Sequence, residues 1–141
     1  MSPESISFHS EIARYKLKNQ KTLRLWLYQV IAFHKKQTGT LNYIFCTDTY
    51  LLGINKQFLK HDYYTDVITF DYSEKKVISG DIYLSIDRIR DNAKTEGQLF
   101  ETELHRVMVH GLLHLLGFSD KGKTNKARMT RLEDKFLSLL S

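Results

Sequence analysis

His110 and His114 stand four residues apart, a spacing that places two imidazoles on one face of a helix about one turn apart. Two ring nitrogens so placed form a bidentate grip for a metal ion. Zinc sites take three or four protein donors, so a further ligand has to come from beyond the helix. Asp120 is the candidate: Gly117 lets the chain reverse after the helix, Phe118 can anchor the turn, and the carboxylate can swing back toward His114. The residue after the first histidine separates the possible chemistries. In the metalloprotease pattern H-E-x-x-H it is the glutamate that activates the metal-bound water. Here it is Gly111, so a peptidase of that type would lack its general base. The other histidines, His9, His34, His61 and His105, have no ligand spacing and read as surface or core residues.

The histidines need a long helix to hold them. Phe100, Leu104, Val107, Met108, Gly111, Leu112 and Leu115 recur at steps of three and four, with His110, His114, Arg106 and Glu103 on the opposite side. From Val107 onward the segment is apolar nearly all round, so the second face is expected to be covered as well. Thr95-Glu96-Gly97-Gln98 fits a capping box and predicts the start of this helix, and Gly117 predicts its end.

Around it, Ile6 and Phe8 alternate with polar neighbours as in a short strand, and leucines, Trp26, Val30, Ile31 and Phe33 give residues 19–36 a helical stripe. Residues 41–46 read as a buried strand that includes Cys46, with Thr47 and Asp48 able to cap a short helix bearing Leu51, Leu52, Ile54 and Phe58. Residues 66–72 and 78–86 are β-branched and aromatic, which predicts neighbouring antiparallel strands joined at 73–76. A short helix from Asp87 to about Ala93 and a last one capped by Thr124, carrying Met129, Leu132, Phe136, Leu139 and Leu140, complete the reading. The sum is an α+β fold. It has a single layer of about four strands in a mixed sheet, packed with several helices, and the metal site lies on the long central helix.

With 141 residues and its only proline at Pro3, the chain shows no linker or repeat, and one domain spanning 1–141 is expected. A composition of 42% hydrophobic and 26% charged residues excludes the disordered class. Cys46 is the lone cysteine, and no apolar run reaches the roughly 18–20 residues of a membrane helix, so a cytoplasmic protein without a membrane partner is expected. The net charge of +5 is unevenly spread, with +5 over residues 1–40, −3 over 41–119 and +3 over 120–141. Segregated basic ends are what a polyanion-binding surface needs, because Lys and Arg gain affinity by displacing counterions from phosphates. A solvated basic helix face has the same composition.

The segment His110-Gly111-Leu112-Leu113-His114-Leu115-Leu116-Gly117 resembles the signature of the YbeY endoribonuclease family. Ile54-Asn55 through Phe58, Asp62, Thr65-Asp66-Val67-Ile68-Thr69-Phe70, Gly80-Asp81-Ile82, and Met129, Leu132 and Glu133 are similar to the family's other blocks, in the same order. The resemblance implies a zinc-dependent endoribonuclease with one zinc ion, specific for single-stranded RNA. It would work in the cytoplasm on ribosomal RNA and the ribosome, maturing the 3′ end of small-subunit rRNA and serving ribosome quality control; DNA is not an expected partner. Two positions depart from the family. Asp120 stands where a third histidine is usual, and an anionic ligand makes the metal a weaker Lewis acid. Leu59 stands where the family typically carries an arginine that contacts phosphate, with Lys60, His61 or Arg106 as conceivable substitutes, each also readable as a surface or salt-bridge residue. Asp66 and Arg106 are the candidate catalytic side chains beside a metal-bound water, and Asp66 also reads as a strand brace. A non-catalytic zinc-stabilised ribosome- or RNA-binding protein, or another metallohydrolase such as a peptidase, are the alternative readings.

Overall fold

The computed structural model describes residues 5–140; residues 1–4 and 141, the two ends of the expected 1–141 domain, lie outside the described residues. The elements run β1 (Ile6–Ser10), α1 (Gln20–Phe33), β2 (Gln37–Cys46), α2 (Asp48–Leu59), β3 (Val67–Asp71), β4 (Val77–Ser85), α3 (Ile86–Glu96), α4 (Phe100–Leu115) and α5 (Lys123–Leu137), then a 3-10 turn at Ser138–Leu140. The strands form one mixed sheet in the order β1-β2-β4-β3. β1 and β2 are parallel because α1 returns the chain between them; after β2, α2 leads into β3, which runs back antiparallel to β4, so β4 reached through the short 72–76 connection is parallel to β2. This is the α+β fold expected from the residue pattern.

The two faces of the sheet differ, as strand alternation requires. Leu41, Tyr43 and Phe45 of β2 and Ile78, Ile82 and Leu84 of β4 point into the main core, under the buried faces of α1, α4 and α5. On the other face α2 covers a smaller cluster of Cys46, Leu51 and Ile68. Beside it lies a polar ladder, with Asn42 Nδ2 donating to Asp81 Oδ1 at 3.1 Å and Asn42 Oδ1 lying 3.3 Å from His9 Nε2. Burial pushes the Cys46 thiol up to about 12, helped by the charges of Glu11, Asp87 and Asp48, so it is an inert core residue. Two buried polar side chains tie the layers together: Tyr43 Oη donates to the Met108 carbonyl at 3.0 Å and Trp26 Nε1 to the Phe136 carbonyl at 2.8 Å.

Helix boundaries follow local chemistry, though not always the chemistry expected. Thr47 caps α2 by accepting from Tyr50 N at 3.1 Å. The Thr95–Gln98 segment, read as the start of the long helix, is the end of α3: Gly97 takes φ 68° and Gln98 N donates to the Ala93 carbonyl at 2.8 Å. α4 starts behind Leu99 with no side-chain cap, and Glu101 and Glu103 in its first turn complement the helix dipole. α3 starts one residue before the expected Asp87, capped by Ser85, whose Oγ accepts from Arg88 N at 3.1 Å. α5 starts at Lys123 behind Gly122, so Thr124 lies inside its first turn. Among the described residues no helix is long and apolar enough to cross a membrane.

The seat of α4 on the sheet is what places the histidines. A Cβ built on Gly111 would lie 2.9 Å from Ile82 Cγ2 and 3.5 Å from Thr69 Cγ2, so the helix backbone rests directly on β4 and β3. Gly80 makes the reciprocal allowance on β4, where a Cβ would meet Leu115 Cδ1 at 3.0 Å and the Phe70 carbonyl oxygen more closely still. Replacing Gly111 by Ala removes a helix-weakening glycine, a gain of up to ~1 kcal/mol. It also forces a methyl into a branched, fully buried neighbour, at a cost of about 1–3 kcal/mol. The expected outcome for Gly111→Ala is a net loss of ~1 kcal/mol, measured as a lower urea midpoint at unchanged slope; a midpoint at or above wild type would mean the helix has room to spare.

Candidate metal centre

The site is assembled by the way α4 stops. After the helix, Gly117 at φ 103° donates to the His114 carbonyl and Phe118 N to the Leu113 carbonyl, both at 3.0 Å. That pair of bonds is the Schellman arrangement, with Phe118 as the apolar residue that packs back on the core. The reversal brings Asp120 beside the last turn of α4, as the sequence predicts. His110 Nε2 and His114 Nε2 lie 3.1 Å apart, and Asp120 Oδ2 lies 3.3 Å from each. Among the described residues these three alone form a group able to hold a metal ion. Bonds of 2.0–2.1 Å at tetrahedral angles put ligand atoms about 3.3–3.4 Å apart. The triangle therefore has the separations that three ligands of one zinc ion would need.

The orientation of His110 is fixed from its other nitrogen. Nδ1 lies 2.6 Å from Glu133 Oε2 on α5, so the carboxylate holds the ring proton there and leaves the Nε2 lone pair facing His114 and Asp120. Glu133 is only 6% exposed, and its other oxygen accepts from Arg106 Nη1 at 2.9 Å while Arg106 Nη2 reaches Asp134 at 2.6 Å. Arg106 is thus a brace for Glu133, with both terminal nitrogens engaged. Burial opposes charge on His110 most strongly, but the Glu133 hydrogen bond and charge, with Asp120 and Asp66, raise it above its ordinary value. The family resemblance includes Glu133 without giving it a role. The signal was present: it sits between Met129 and Phe136 on the apolar stripe of α5, where an unpaired carboxylate would be costly.

Two members of the triangle, His110 and Asp120, line a cavity of about 330 Å3 whose walls also include Asp66, Glu103, Arg106 and Lys126. Asp66 stands at the start of β3 and on the cavity wall. Its backbone carbonyl accepts from Ser85 N at 2.9 Å, bracing the start of β3, while its carboxyl lines the cavity and is raised by burial against the pull of His110. Lys126 brings the basic tail to the cavity wall, whereas no residue of α1 lines it. Lys60 and His61 lie outside the cavity lining, beside exposed Leu59 at the end of α2. Glu103, 5% exposed, is a further acidic wall residue that the sequence reading placed with the histidines but gave no role. Its carboxyl is pushed up to about 7 by burial first, then by hydrogen bonding to Glu96 and by the charges of Glu96 and Asp66.

Removing the carboxylate behind His110 is expected to act on metal binding. Glu133→Ala should weaken zinc affinity about 10- to 100-fold, and Glu133→Gln, which keeps an acceptor oxygen, should lose less. Competition with a chromophoric chelator measures both, with circular dichroism confirming that the variants fold. Glu103 generates a pH prediction of defined sign. The unfolded chain releases this proton near the ordinary 4.5 and the folded chain holds it to about 7, so the stability it contributes is full below 4.5 and is lost as pH rises to about 7. Glu103→Gln should therefore shrink the difference in Tm between pH 5 and pH 8, measured by thermal unfolding at both.

Comparison with known proteins agrees with the geometry. The family described as Endoribonuclease YbeY matches residues 6–141. The chain is 49% identical over 140 residues to Endoribonuclease YbeY of Cytophaga hutchinsonii, covering 99% of this chain and 98% of that one. It is 47% identical over 134 residues to that of Flavobacterium psychrophilum, covering 95% of each. Among solved structures it resembles the solution structure of TM1509 from Thermotoga maritima, with a TM-score of 0.68 and 27% identity over 96% of this chain and 88% of that one. A match that spans the sheet, the histidine-bearing helix α4 and its partner α5 alike places this chain in the endoribonuclease YbeY family.

Proposed function

We propose that this chain is a metal-dependent endoribonuclease that cuts single-stranded RNA at a centre formed by His110, His114 and Asp120. One zinc ion is the proposed cofactor. The observation that carries this reading is the 3.1–3.3 Å triangle of two imidazole nitrogens and one carboxylate oxygen, of which His110 and Asp120 line an open cavity. When bound, zinc supplies a Lewis acid and lowers the pKa of a coordinated water. The protein residues have separate tasks around it. His110 and His114 present lone pairs from a rigid helix, and Glu133 keeps the His110 proton on Nδ1. Asp120 contributes the negative charge that a third histidine would not, which moderates the Lewis acidity. Lys126, which lines the same cavity, can hold a phosphate oxygen by charge. Asp66, raised by burial, is the wall carboxyl able to take up or return a proton.

The natural substrate we infer is ribosomal RNA, with cleavage maturing the 3′ end of small-subunit rRNA and serving ribosome quality control in the cytoplasm. The chain would act as one domain over 1–141. Gly111 argues against the peptidase alternative, since its position is filled by contact with Ile82 and leaves no room for a catalytic glutamate.

Two measurements test the reading. Purified protein incubated with a single-stranded oligoribonucleotide should cleave it, and a chelator should abolish cleavage that added zinc restores. Elemental analysis should show about one metal per chain in wild type, loss in His114→Ala and weakened retention in Asp120→Ala. RNA binding without metal-dependent cleavage would point instead to a non-catalytic binding protein, and full metal retention by Asp120→Ala would show that the third ligand is another residue.

A further inference from the structure

Exposed large apolar side chains are unevenly distributed over the molecule. Six of them, Tyr50, Phe58, Leu59, Tyr63, Tyr64 and Tyr72, fall on α2 and the segments flanking β3. Within this group the 61–64 turn stands out, because its rings are displayed by a backbone fixed at both ends. Buried Asn55 holds one end, its Nδ2 donating to the Tyr63 carbonyl at 2.9 Å and its own carbonyl accepting from His61 N at 3.0 Å. The other end is Asp66, pinned to β4 through Ser85 N and lining the metal cavity. Tyr64 is two residues from Asp66, so their Cα atoms are at most about 7 Å apart.

The rings are already arranged for stacking. His61 lies nearly parallel to Tyr63, with centroids 5.1 Å apart and planes 20° apart, and Tyr63 Oη is 2.8 Å from His61 Nδ1. The Arg88 guanidinium sits 5.4 Å from the centre of the Tyr64 ring. Tyr63 and Tyr64 nonetheless remain 54% and 53% exposed. Flat rings held rigid, backed by a cation or another ring and left open to solvent, are the elements from which single-stranded nucleic-acid platforms are made. Lys60 and Lys56 lie next to them, with Asp62 as the opposing charge at 3.4 Å from Lys56 Nζ.

We propose that His61, Tyr63 and Tyr64 form a base-stacking platform for single-stranded RNA, which holds nucleotides beside the one whose phosphodiester lies in the metal cavity. The inference rests on the endoribonuclease reading above and adds the surface that selects unpaired bases. Stacking needs a free π-face, so a duplex, whose bases are already stacked, gains nothing from it. The platform therefore supplies discrimination between single and double strands that a metal ion and a lysine cannot supply.

The test uses the intact zinc-loaded chain and a fluorescently labelled single-stranded oligoribonucleotide, under conditions in which a denaturing gel shows it uncut. Binding is read by anisotropy and cleavage by gel. Tyr64→Ala and Tyr63→Ala are each expected to weaken binding about 5- to 150-fold, the range for losing one stacked base. Tyr64→Trp and Tyr63→Phe should recover most of it, and binding of a duplex of the same length should change less than twofold in all four. Because the rings are exposed, the variants should melt within a degree or two of wild type, and zinc content should be unaltered. If wild type binds and cleaves single strands while both Ala variants bind as tightly as wild type, the platform is wrong and the nuclease reading stands. If the Ala variants lose duplex and single-strand binding equally, the tyrosines serve backbone contact or local folding and the platform is likewise overturned. A wild type that neither binds nor cuts single-stranded RNA overturns both readings.

Discussion

Everything at this site depends on how closely α4 lies against the sheet. A helix carrying ordinary side chains toward a strand stands off by the thickness of those side chains, about 10 Å between layers. At Gly111 that thickness is missing, and the backbone comes within van der Waals contact of where Ile82 and Thr69 leave space. His110 precedes this contact and His114 follows it by less than a turn, so both side chains project from the least movable part of the helix. Leu104, Met108, Leu112 and Leu113, all fully buried, then resist rotation of the helix about its axis. A metal triangle needs its ligand atoms held to a few tenths of an ångström, and this packing is what supplies that constraint.

The polar half of the site is built on the side of α4 that the sheet does not cover. α5 covers it, and brings a charged residue into its own apolar stripe to do so. Glu133 would be strongly destabilising if it stood alone in that position. It is stabilised from two directions, by the His110 ring and by Arg106, and Arg106 is stabilised in turn by Asp134. The result is a chain of charge-assisted contacts that runs from the surface inward and ends at the nitrogen opposite the metal-facing lone pair. Each link fixes the rotamer of the next, so helix–helix packing and ligand orientation are the same set of interactions seen from two ends.

Much of this was legible in the sequence because the relevant signals are local. The i,i+4 histidines, the glycine stop at Gly117 and the return of Asp120 all lie within eleven residues, and the turn chemistry that connects them is determined by Gly117 and Phe118 alone. The four strands and their antiparallel pair were readable for the same reason, since alternation and a short connection are nearest-neighbour properties. What was not legible depends on contacts between distant segments. The Thr95–Gln98 segment satisfies two local rules at once, a capping box through Thr95 and Gln98 and a glycine stop through Gly97, and which of them operates is decided by where α3 ends against α4. The partnership of Glu133 with His110 spans 23 residues, and only the crossing of α4 and α5 brings the two together. Arg106 was weighed as a phosphate contact, but its position opposite Glu133 and Asp134 gives it a structural task.

Asn55 links the exposed loop to the rest of the fold. It is a buried polar residue in a helix whose neighbours are apolar, and its side chain and carbonyl are both spent on the 61–63 backbone rather than on the core. A flexible loop at that place would lose more conformational entropy on binding a nucleic-acid strand than a preorganised one. Fixing the loop during folding means that the ordering has already occurred when substrate arrives. The same loop continues into Asp66, which lines the cavity, and then into β3, which lies under α4. One continuous stretch of backbone thus carries the exposed rings, a wall carboxyl and part of the bed on which α4 rests, so the register between the proposed platform and the candidate metal centre is fixed by covalent distance.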